Sequence, residues 1–169
     1  KQANRPDIRL YQLPRVSATL PAKDNPSKWL VSDHETAAAF SAVGYIFGKE
    51  LNDYLDVPIG LIQNAWGGSN VESWISKGKF AAMGVTKDNN YYMRQSSEIS
   101  VQTRENHEPA NLFNGMLYPL IPYTIRGAIW YQGESNTVNS SEYADLFAGM
   151  IEDWRAYWGI GNFPFYFVQ

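Results

Sequence analysis

The stretch Pro58–Asn70, PIGLIQNAWGGSN, decides the fold class of this chain. Its apolar run Ile59–Ala65 has the length of a β-strand, follows a proline and stops at Gly67-Gly68. The run alternates only weakly between apolar and polar residues, which is typical of strands covered on both faces of a sheet. It is therefore predicted to be a strand that ends in a tight glycine turn.

Three further runs predict strands, namely Ile8–Leu13, Gly127–Gln132 and Phe163–Gln169. The run Gly127–Gln132 also alternates only weakly, so this strand too is expected to be covered on both faces. A first helix is predicted by an apolar stripe at three- and four-residue steps, with Asp33 or Ser32 as its candidate cap. That stripe consists of Phe40, Val43, Phe47, Leu51 and Tyr54. Strands that alternate with helices in this way indicate an α/β fold with a parallel sheet.

A second helix is predicted near the end of the chain. Its apolar stripe consists of Tyr143, Leu146, Phe147, Met150, Ile151, Trp154 and Trp158. Asn139 and Glu142 have capping-box spacing, and Gly159 stands where a helix terminator belongs.

Composition restricts the function classes. The 169 residues have a mass of 19.2 kDa, a formal charge of −3 and 44% hydrophobic residues, which suits one globular domain. Without a cluster of basic residues, neither a nucleic acid nor a membrane is expected as a partner. The chain has no cysteine, which excludes disulfides, thiolate metal sites and a cysteine nucleophile. It has only two histidines.

The segment Ser76–Tyr123 has a weaker pattern. It predicts a short helix near Ser76–Met83, a second one at Tyr92–Val101, and a polar loop through Asn106–Pro109. An excursion of this length either carries a binding site or lid, or is a solvated insertion. Both interpretations stay open from the sequence.

Two polar clusters follow the strands, at the sheet edge where parallel sheets bind ligands. In the first, the backbone N–H groups of Gly67 and Gly68 suit a phosphate or an oxyanion, although the two glycines taken alone favour a tight strand-to-helix turn without a ligand. In the second, Gln132 and Asn136 are candidate oxyanion donors, and Glu134 is a candidate acid/base or histidine-orienting group. The alternative for this cluster is a polar loop that caps the next helix.

Other catalytic arrangements have less support. His34 lies beside a predicted helix start and His107 lies in a loop, and no spacing brings either to Ser69 or Ser135 as a triad. No histidine or carboxylate spacing predicts a metal site, so no metal and no cofactor is expected. Several loop aromatics could either stack on a sugar or be partly buried. They are Trp66, Trp74, Tyr91, Tyr92 and Tyr118.

The two clusters together resemble the sialate O-acetylesterase-like branch of the SGNH (GDSL-type) hydrolases. The resemblance is carried by the segment from Val57 to Trp66-Gly67-Gly68 and by Trp130-Tyr131-Gln132-Gly133-Glu134-Ser135-Asn136. It extends to the helix start at Phe40–Tyr45, to Asn114-Gly115-Met116, to Glu152–Arg155 and to the strand Phe163–Gln169. It leaves out only the stretch 77–108, which is interpreted as a variable insertion.

The resemblance implies a three-layer α/β/α hydrolase with a mainly parallel, flavodoxin-like sheet that removes acetyl groups from sugars. It places Gly67, Gly68, Gln132, Glu134 and Asn136 in the catalytic region, with Gln132 or Asn136 completing the oxyanion hole. It also implies that Trp66, Asn114 and Tyr118 bind an acetylated sugar or glycan. The sequence does not name the compartment of the parent protein; a periplasmic or secreted location is compatible with it.

Two motifs of the family are missing. Its nucleophilic serine lies in a Gly-Gln-Ser-Asn motif and its base in an Asp-x-x-His motif, and neither occurs here. The chain starts without methionine and stops inside an apolar run. We therefore expect residues 1–169 to be the middle portion of a larger esterase domain that lacks its first strand and its C-terminal helix. The missing serine strand is expected to lie between the strands Ile8–Leu13 and Ile59–Ala65.

Two other functions compete with the esterase. A carbohydrate-binding module without catalysis would use the loop aromatics around an inherited oxyanion pocket. A phosphate or nucleotide binder at Gly67-Gly68 is the weaker alternative, since no lysine or arginine cluster accompanies the glycines.

Overall fold

The computed structural model describes residues 3–85 and 105–168. They form two compact units, each with its own sheet. The helix predicted at Tyr92–Val101 lies outside the described residues. No helix in the described part of the chain is both long enough and apolar enough to cross a membrane.

The first unit joins Lys1–Pro14 to Asn25–Ala65 and contains a three-stranded sheet. The strands are β1 (Arg5–Gln12), β2 (Trp29–Ser32) and β3 (Ile59–Gln63), in the order β2-β1-β3. β1 runs antiparallel to β2 and parallel to β3. The predicted strands at Ile8–Leu13 and Ile59–Ala65 are therefore confirmed, whereas β2 has no counterpart in the sequence prediction.

The expected position of the missing serine strand is wrong. β1 pairs directly with β3, in a register that sets Ile8 opposite Ile59 and continues to Gln12 opposite Gln63. Hydrogen-bonded neighbouring strands lie only about 4.8 Å apart, so no further strand fits between them. A strand that carries a nucleophile would have to join the protein elsewhere.

One predicted helix is two helices in the structure. α1 (His34–Ala38) begins at Asp33, whose carboxylate accepts hydrogen bonds from the backbone N–H groups of the first turn. α2 (Ala42–Leu55) has its own cap at Ser41, whose hydroxyl accepts from Gly44 N at 3.2 Å. Asp33 therefore caps α1 and not the long helix. The second candidate, Ser32, ends β2.

The buried face of α2 differs from the predicted apolar stripe. Gly44, Gly48 and Asn52 are its buried residues, whereas the predicted Val43 and Tyr54 are exposed. A β-carbon at Gly48 would lie 2.6 Å from the side chain of Leu61 on β3. The helix thus approaches the strand through small residues, because the apolar bulk at this contact comes from the sheet.

The second unit joins Arg15–Asp24 to Trp66–Gln169 and contains a two-stranded parallel sheet. Its strands are β4 (Ala128–Trp130) and β5 (Phe165–Phe167), and its helices are α3 (Lys77–Ala82) and α4 (Ser140–Trp158). It also has 3-10 turns at Val71–Trp74, Tyr118–Leu120 and Glu134–Asn139, and a π-helix at Phe113–Leu117.

The long helix α4 agrees with its prediction. Its buried residues include Leu146, Met150 and Trp154, which belong to the predicted stripe. It ends at Gly159, which has a φ of +62° and donates its N–H to Arg155 O. A left-handed residue directly after a helix is the usual glycine terminator.

The β4–β5 sheet is covered less completely than expected. The Trp130 ring packs at 5.7 Å from Trp154 and 6.0 Å from Phe147, both on α4. Ile129, which points to the opposite face, is 40% exposed. The prediction that strands are covered on both faces is therefore wrong for β4 within the described residues, where only the face toward α4 is packed. The α/β class itself is confirmed.

Gly115 offers a first test of the packing in the second unit. The segment Arg15–Asp24 runs along the π-helix, and a β-carbon at Gly115 would overlap the carbonyl oxygen of Val16. Backbone cannot move aside as a side-chain end can, so Gly115→Ala is expected to lower the free energy of unfolding by about 2–3 kcal/mol. Urea denaturation measures the change.

The control for this test is Gly78→Ala. Gly78 lies in α3, and a β-carbon there would meet no atom within 4 Å. Alanine is the better helix former, so this variant is expected to be as stable as the parent or slightly more stable. Equal stability of the two variants would contradict the close approach at Gly115.

Candidate active site

The turn after β3 is open at its two glycines and buried directly afterwards. Gly67 and Gly68 are exposed, and a β-carbon at either would meet no atom within 4 Å. Gly68 has a φ of +76°, which a residue with a side chain rarely adopts. Ser69 and Asn70 are buried and lead into the 3-10 turn at Val71–Trp74.

Two amides from the loop after β4 hold this turn. Gln132 Nε2 donates to Ser69 O at 3.0 Å and to Asn136 Oδ1 at 2.8 Å. Asn136 Oδ1 also accepts from Val71 N at 2.9 Å, and Asn136 Nδ2 donates to Glu72 Oε2 at 2.8 Å. We call these four hydrogen bonds, with the residues that they join, the amide clamp. It joins the two clusters that the sequence singled out.

Glu72 is the residue of the clamp that the sequence prediction missed. Its side chain is buried, and its backbone carbonyl accepts from Ile75 N and Ala110 N. A buried carboxylate needs hydrogen-bond donors, and the Asn136 amide supplies one of them. Glu72 is the one acidic residue in the otherwise apolar or neutral run Val71–Ile75, but this does not show that its carboxylate is buried.

Tyr143 supports the clamp from α4. Its hydroxyl donates to Gln132 O at 2.8 Å and lies 3.1 Å from Gln132 Oε1. Burial raises the pKa of the Tyr143 phenol, so the hydroxyl stays protonated at neutral pH and is available as a donor. The Tyr143 hydroxyl oxygen in turn accepts a hydrogen bond from Trp130 Nε1 at 3.4 Å.

The structure also brings His107 to the glycine turn. Asn70 Nδ2 donates to His107 O at 3.2 Å, and Asn106 Nδ2 donates to Gly67 O at 3.4 Å. The sequence prediction of a loop here agrees with the structure, but it did not indicate that this loop meets the glycine turn. Contacts across 37 residues and more place it here, and spacing in the sequence does not reveal them.

His107 provides a second prediction, on protonation. Burial lowers the pKa of its imidazole below the ordinary 6.5, against the opposing effects of Glu72 and Glu108. The unfolded chain then binds the proton more readily, so this group's contribution to stability is complete above about pH 6.5 and declines as the pH falls toward the folded pKa. Nuclear magnetic resonance titration of the ring protons measures the pKa of His107. Urea denaturation at a series of pH values measures the change in stability.

The control uses the second histidine. His34→Gln leaves His107 as the only imidazole, and the decline of stability below about pH 6.5 is expected to remain. His107→Gln is expected to remove the share of that decline that comes from protonation of His107. A pKa above 6.5 for His107 in the folded chain would contradict the prediction.

Other predicted residues lie in different surroundings. Glu134 is exposed at the first position of its 3-10 turn. Asn114 is buried, and its Nδ2 donates to Ala18 O at 3.1 Å, so this amide binds the chain itself. Tyr118 lies in a ring cluster with Phe113 and Tyr157.

The serine hydroxyl nearest the turn is already engaged. Ser69 is 4% exposed, and its Oγ accepts from Trp74 Nε1 at 2.9 Å. A nucleophile has to reach a substrate and bond to a base, and this hydroxyl does neither. Among the described residues, no group of three or more histidine, aspartate or glutamate side chains is arranged to hold a metal ion.

Comparisons with known proteins agree with one family. The model of the family described as carbohydrate esterase, sialic acid-specific acetylesterase, matches residues 5–169. Human sialate O-acetylesterase is 39% identical over 137 residues, covering 76% of this chain and 25% of the human protein. The mouse protein of the same name is 33% identical over 163 residues, covering 80% of this chain and 30% of its own length.

A solved structure gives the same result. A carbohydrate acetylesterase from Xanthomonas citri superposes with a TM-score of 0.83 at 34% identity, covering 99% of this chain and 34% of that one. The chain thus spans between a quarter and about a third of these relatives, and the predicted resemblance is confirmed. The chain belongs to the sialic acid-specific acetylesterase family of carbohydrate esterases.

Proposed function

We propose that this chain supplies the oxyanion-binding part of a carbohydrate O-acetyl esterase. The observation that carries the proposal is the amide clamp, which holds an exposed glycine turn against the loop after β4. Backbone N–H groups at Gly67 and Gly68 are donors that need no reorganisation when negative charge develops on an ester oxygen. Fixing such a turn rigidly is what acyl transfer requires of a protein.

The reaction is ester hydrolysis through an acyl-enzyme. A serine oxygen attacks the acetyl carbonyl while a histidine takes its proton, and the carbonyl oxygen becomes the oxyanion that the turn stabilises. The sugar hydroxyl leaves with the proton, and water then releases acetate. We place the nucleophilic serine and the base histidine outside these 169 residues, because neither family motif occurs here and the relatives are about three times as long.

Gln132 and Asn136 stay candidates for the oxyanion site, but the structure gives them a holding role first. Both amide hydrogens of Gln132 are engaged, by Ser69 O and by Asn136 Oδ1. The backbone of Gly67 and Gly68 is therefore the favoured donor. Glu134 is proposed to orient or assist the base from its exposed position.

The substrate class is an acetylated sugar or glycan, such as O-acetylated sialic acid. Trp66 stands directly before the glycine turn, and Tyr118 is 37% exposed within its ring cluster. Both are proposed to contact the sugar ring, since aromatic faces suit the apolar faces of sugars. Asn114 is not part of this proposal, because its side chain is buried and bonded to Ala18.

The three-layer α/β/α arrangement belongs to the same proposal. In the described residues β3 is an edge strand of its sheet, with hydrogen bonds to β1 on one side. An edge strand offers a row of backbone donors and acceptors to a further strand. We propose that a serine-bearing strand of the parent enzyme joins there, beside the strand that leads into the glycine turn.

The test compares two proteins on the same substrates. The product of the complete reading frame is expected to hydrolyse aryl acetates and O-acetylated sialic acid, whereas residues 1–169 alone are expected to have essentially no activity. Activity of residues 1–169 that is lost in Ser69→Ala or Ser135→Ala would overturn the assignment. Binding of acetylated glycans by the complete protein without turnover would instead indicate a carbohydrate-binding module.

A further inference from the structure

The segment Glu152–Arg155 takes part in the family resemblance, but the proposed function gives it no role. It lies on α4, and two of its residues bind the chain that follows the amide clamp. Asp153 Oδ2 accepts from Ser76 N at 2.7 Å, and Asp153 Oδ1 accepts from Ser76 Oγ at 2.8 Å. Trp154 Nε1 donates to Trp74 O at 2.9 Å. We call Asp153 and Trp154 the α4 anchor.

The α4 anchor is buried together with the residues that it binds. Asp153, Trp154, Trp74 and Ser76 are each less than a tenth exposed. Burial raises the pKa of the Asp153 carboxyl, whereas its hydrogen bonds from Ser76 favour the charged form. A buried carboxylate needs such donors, so Asp153 and Ser76 stabilise one another's positions. The end of the 3-10 turn at Val71–Trp74 is thereby fixed to α4.

The anchored residue Trp74 reaches back to the glycine turn. Its Nε1 donates to Ser69 Oγ at 2.9 Å, and both side chains are buried. Ser69 directly follows Gly68, and its own N–H donates to Trp66 O at 3.3 Å. This backbone hydrogen bond spans the four residues of a β-turn and closes it around the two glycines. A shift of the Trp74 indole would therefore displace the residue that closes the turn.

The glycine turn needs support from its neighbours because its own residues supply little. No atom lies within 4 Å of where a β-carbon on Gly67 or Gly68 would be, and glycine has the largest backbone freedom to lose. The amide clamp holds the backbone of Ser69 and Val71, whereas the Trp74 indole holds the Ser69 side chain. Both supports matter for N–H groups aimed at an oxyanion, since a small misplacement costs much of the rate.

We propose that Trp74 is a positioning residue for the glycine turn, with its indole held against Ser69 Oγ by the α4 anchor. The consequence for catalysis rests on the proposed function, whereas the positioning itself is measurable without activity. In this arrangement α4 acts on the turn through Trp74. Asp153 and Trp154 thus have a role that requires no contact with substrate.

Trp74→Phe tests the indole hydrogen bond, because phenylalanine keeps an aromatic ring but has no N–H donor. In the product of the complete reading frame, kcat on an aryl acetate is expected to fall by about tenfold while KM stays within about twofold. Hydrogen exchange of the Ser69 amide, measured by mass spectrometry with fragmentation of its peptide, is expected to accelerate by about tenfold.

Trp158→Phe is the matched control on α4. Trp158 Nε1 donates to Tyr123 O at 2.9 Å, so this variant also loses an indole hydrogen bond, but one that involves neither the glycine turn nor the α4 anchor. It is expected to keep parent kcat and parent exchange at Ser69. A folded Trp74→Phe enzyme with parent kcat and parent exchange would overturn the proposal, and so would an equal effect of Trp158→Phe.

Ser69→Ala removes the other partner of the bond and keeps the test valid where Trp74→Phe does not fold. It is expected to lower kcat by about tenfold as well, with the same acceleration of exchange at residue 69. The double variant is expected to lose no more than either single variant, because all three lack the same hydrogen bond. A fall in kcat of more than about 1000-fold in Ser69→Ala would mark its hydroxyl as the nucleophile and overturn the proposal.

The α4 anchor is tested through its carboxylate. Asp153→Ala removes the acceptor of both Ser76 donors and is expected to reproduce the fall in kcat and the faster exchange at Ser69. Asp153→Asn keeps one acceptor oxygen and is expected to restore most of kcat. Parent kcat and exchange in Asp153→Ala would overturn the role of the anchor. Faster exchange in Trp74→Phe of a complete protein without esterase activity would support the positioning and refute the proposed function instead.

Discussion

Replacement of Asn136 by alanine is expected to lower the free energy of unfolding by about 3 kcal/mol. The amide makes three hydrogen bonds inside the clamp, to Val71 N, Gln132 Nε2 and Glu72 Oε2. Without it, the buried Glu72 carboxylate loses a donor and Val71 N loses its acceptor, and each unsatisfied buried group costs about 1–3 kcal/mol. Urea denaturation of residues 1–169, followed by circular dichroism, measures the loss.

An exchange of the two partners tests whether the Glu72–Asn136 hydrogen bond is responsible for this loss of stability. Asn136→Asp sets two carboxylates together and is expected to be at least as destabilising as the alanine variant. Glu72→Gln added to it restores a donor–acceptor pair with the polarity reversed. The double variant is therefore expected to recover at least half of the lost stability.

Thr137→Ala is the matched control in the same loop. Its exposed hydroxyl donates only to Glu134 O among the hydrogen bonds of the structure's described residues, and we expect a change below about 0.5 kcal/mol. If Asn136→Ala were as mild as this control, or if the double variant were as unstable as Asn136→Asp, the clamp would not have the energy assigned to it.

The second large effect is expected in catalysis. Gln132→Leu in the product of the complete reading frame is expected to lower kcat on an aryl acetate by about 100-fold, because a loosened glycine turn no longer holds its N–H groups at the oxyanion. Leucine has a similar size but donates nothing, so Ser69 O and Asn136 Oδ1 each lose a partner. Initial rates measured over a range of aryl acetate concentrations give kcat and KM separately.

The division between kcat and KM is decisive for this variant. A turn that acts on the transition state should affect kcat much more than KM, which we expect to stay within about threefold. Thr137→Ala again serves as the control and is expected to keep parent kinetics. A Gln132→Leu enzyme that is folded and has parent kcat would refute the role of the clamp in catalysis.

The local elements of this fold could be predicted from the sequence. Gly159 ends α4 where the sequence predicts it, and the apolar stripe of α4 is buried, because capping and periodicity are properties of neighbouring residues. The break between α1 and α2 could not be seen in the same way. A second cap at Ser41 and a buried glycine face depend on the close approach of α2 to Leu61.

The candidate site likewise contains residues that the sequence indicates and a residue that only the structure reveals. Gly67, Gly68, Gln132 and Asn136 were recognisable because strand ends with clustered polar residues are typical of ligand sites in α/β proteins. Glu72 was not recognisable, since nothing in its local sequence shows that its carboxylate is buried against an amide from another loop.

The sequence by itself determined the family, the α/β class and the two polar clusters, since these depend on motifs within a few consecutive residues. Only the tertiary structure decided that β1 pairs with β3, that the side-chain amides of Gln132 and Asn136 hold the turn, and that the amide of Asn106 reaches Gly67. The clamp joins residues 63 to 65 positions apart. Hydrogen bonds over such separations form only when packing brings the loops together, and no local pattern records them.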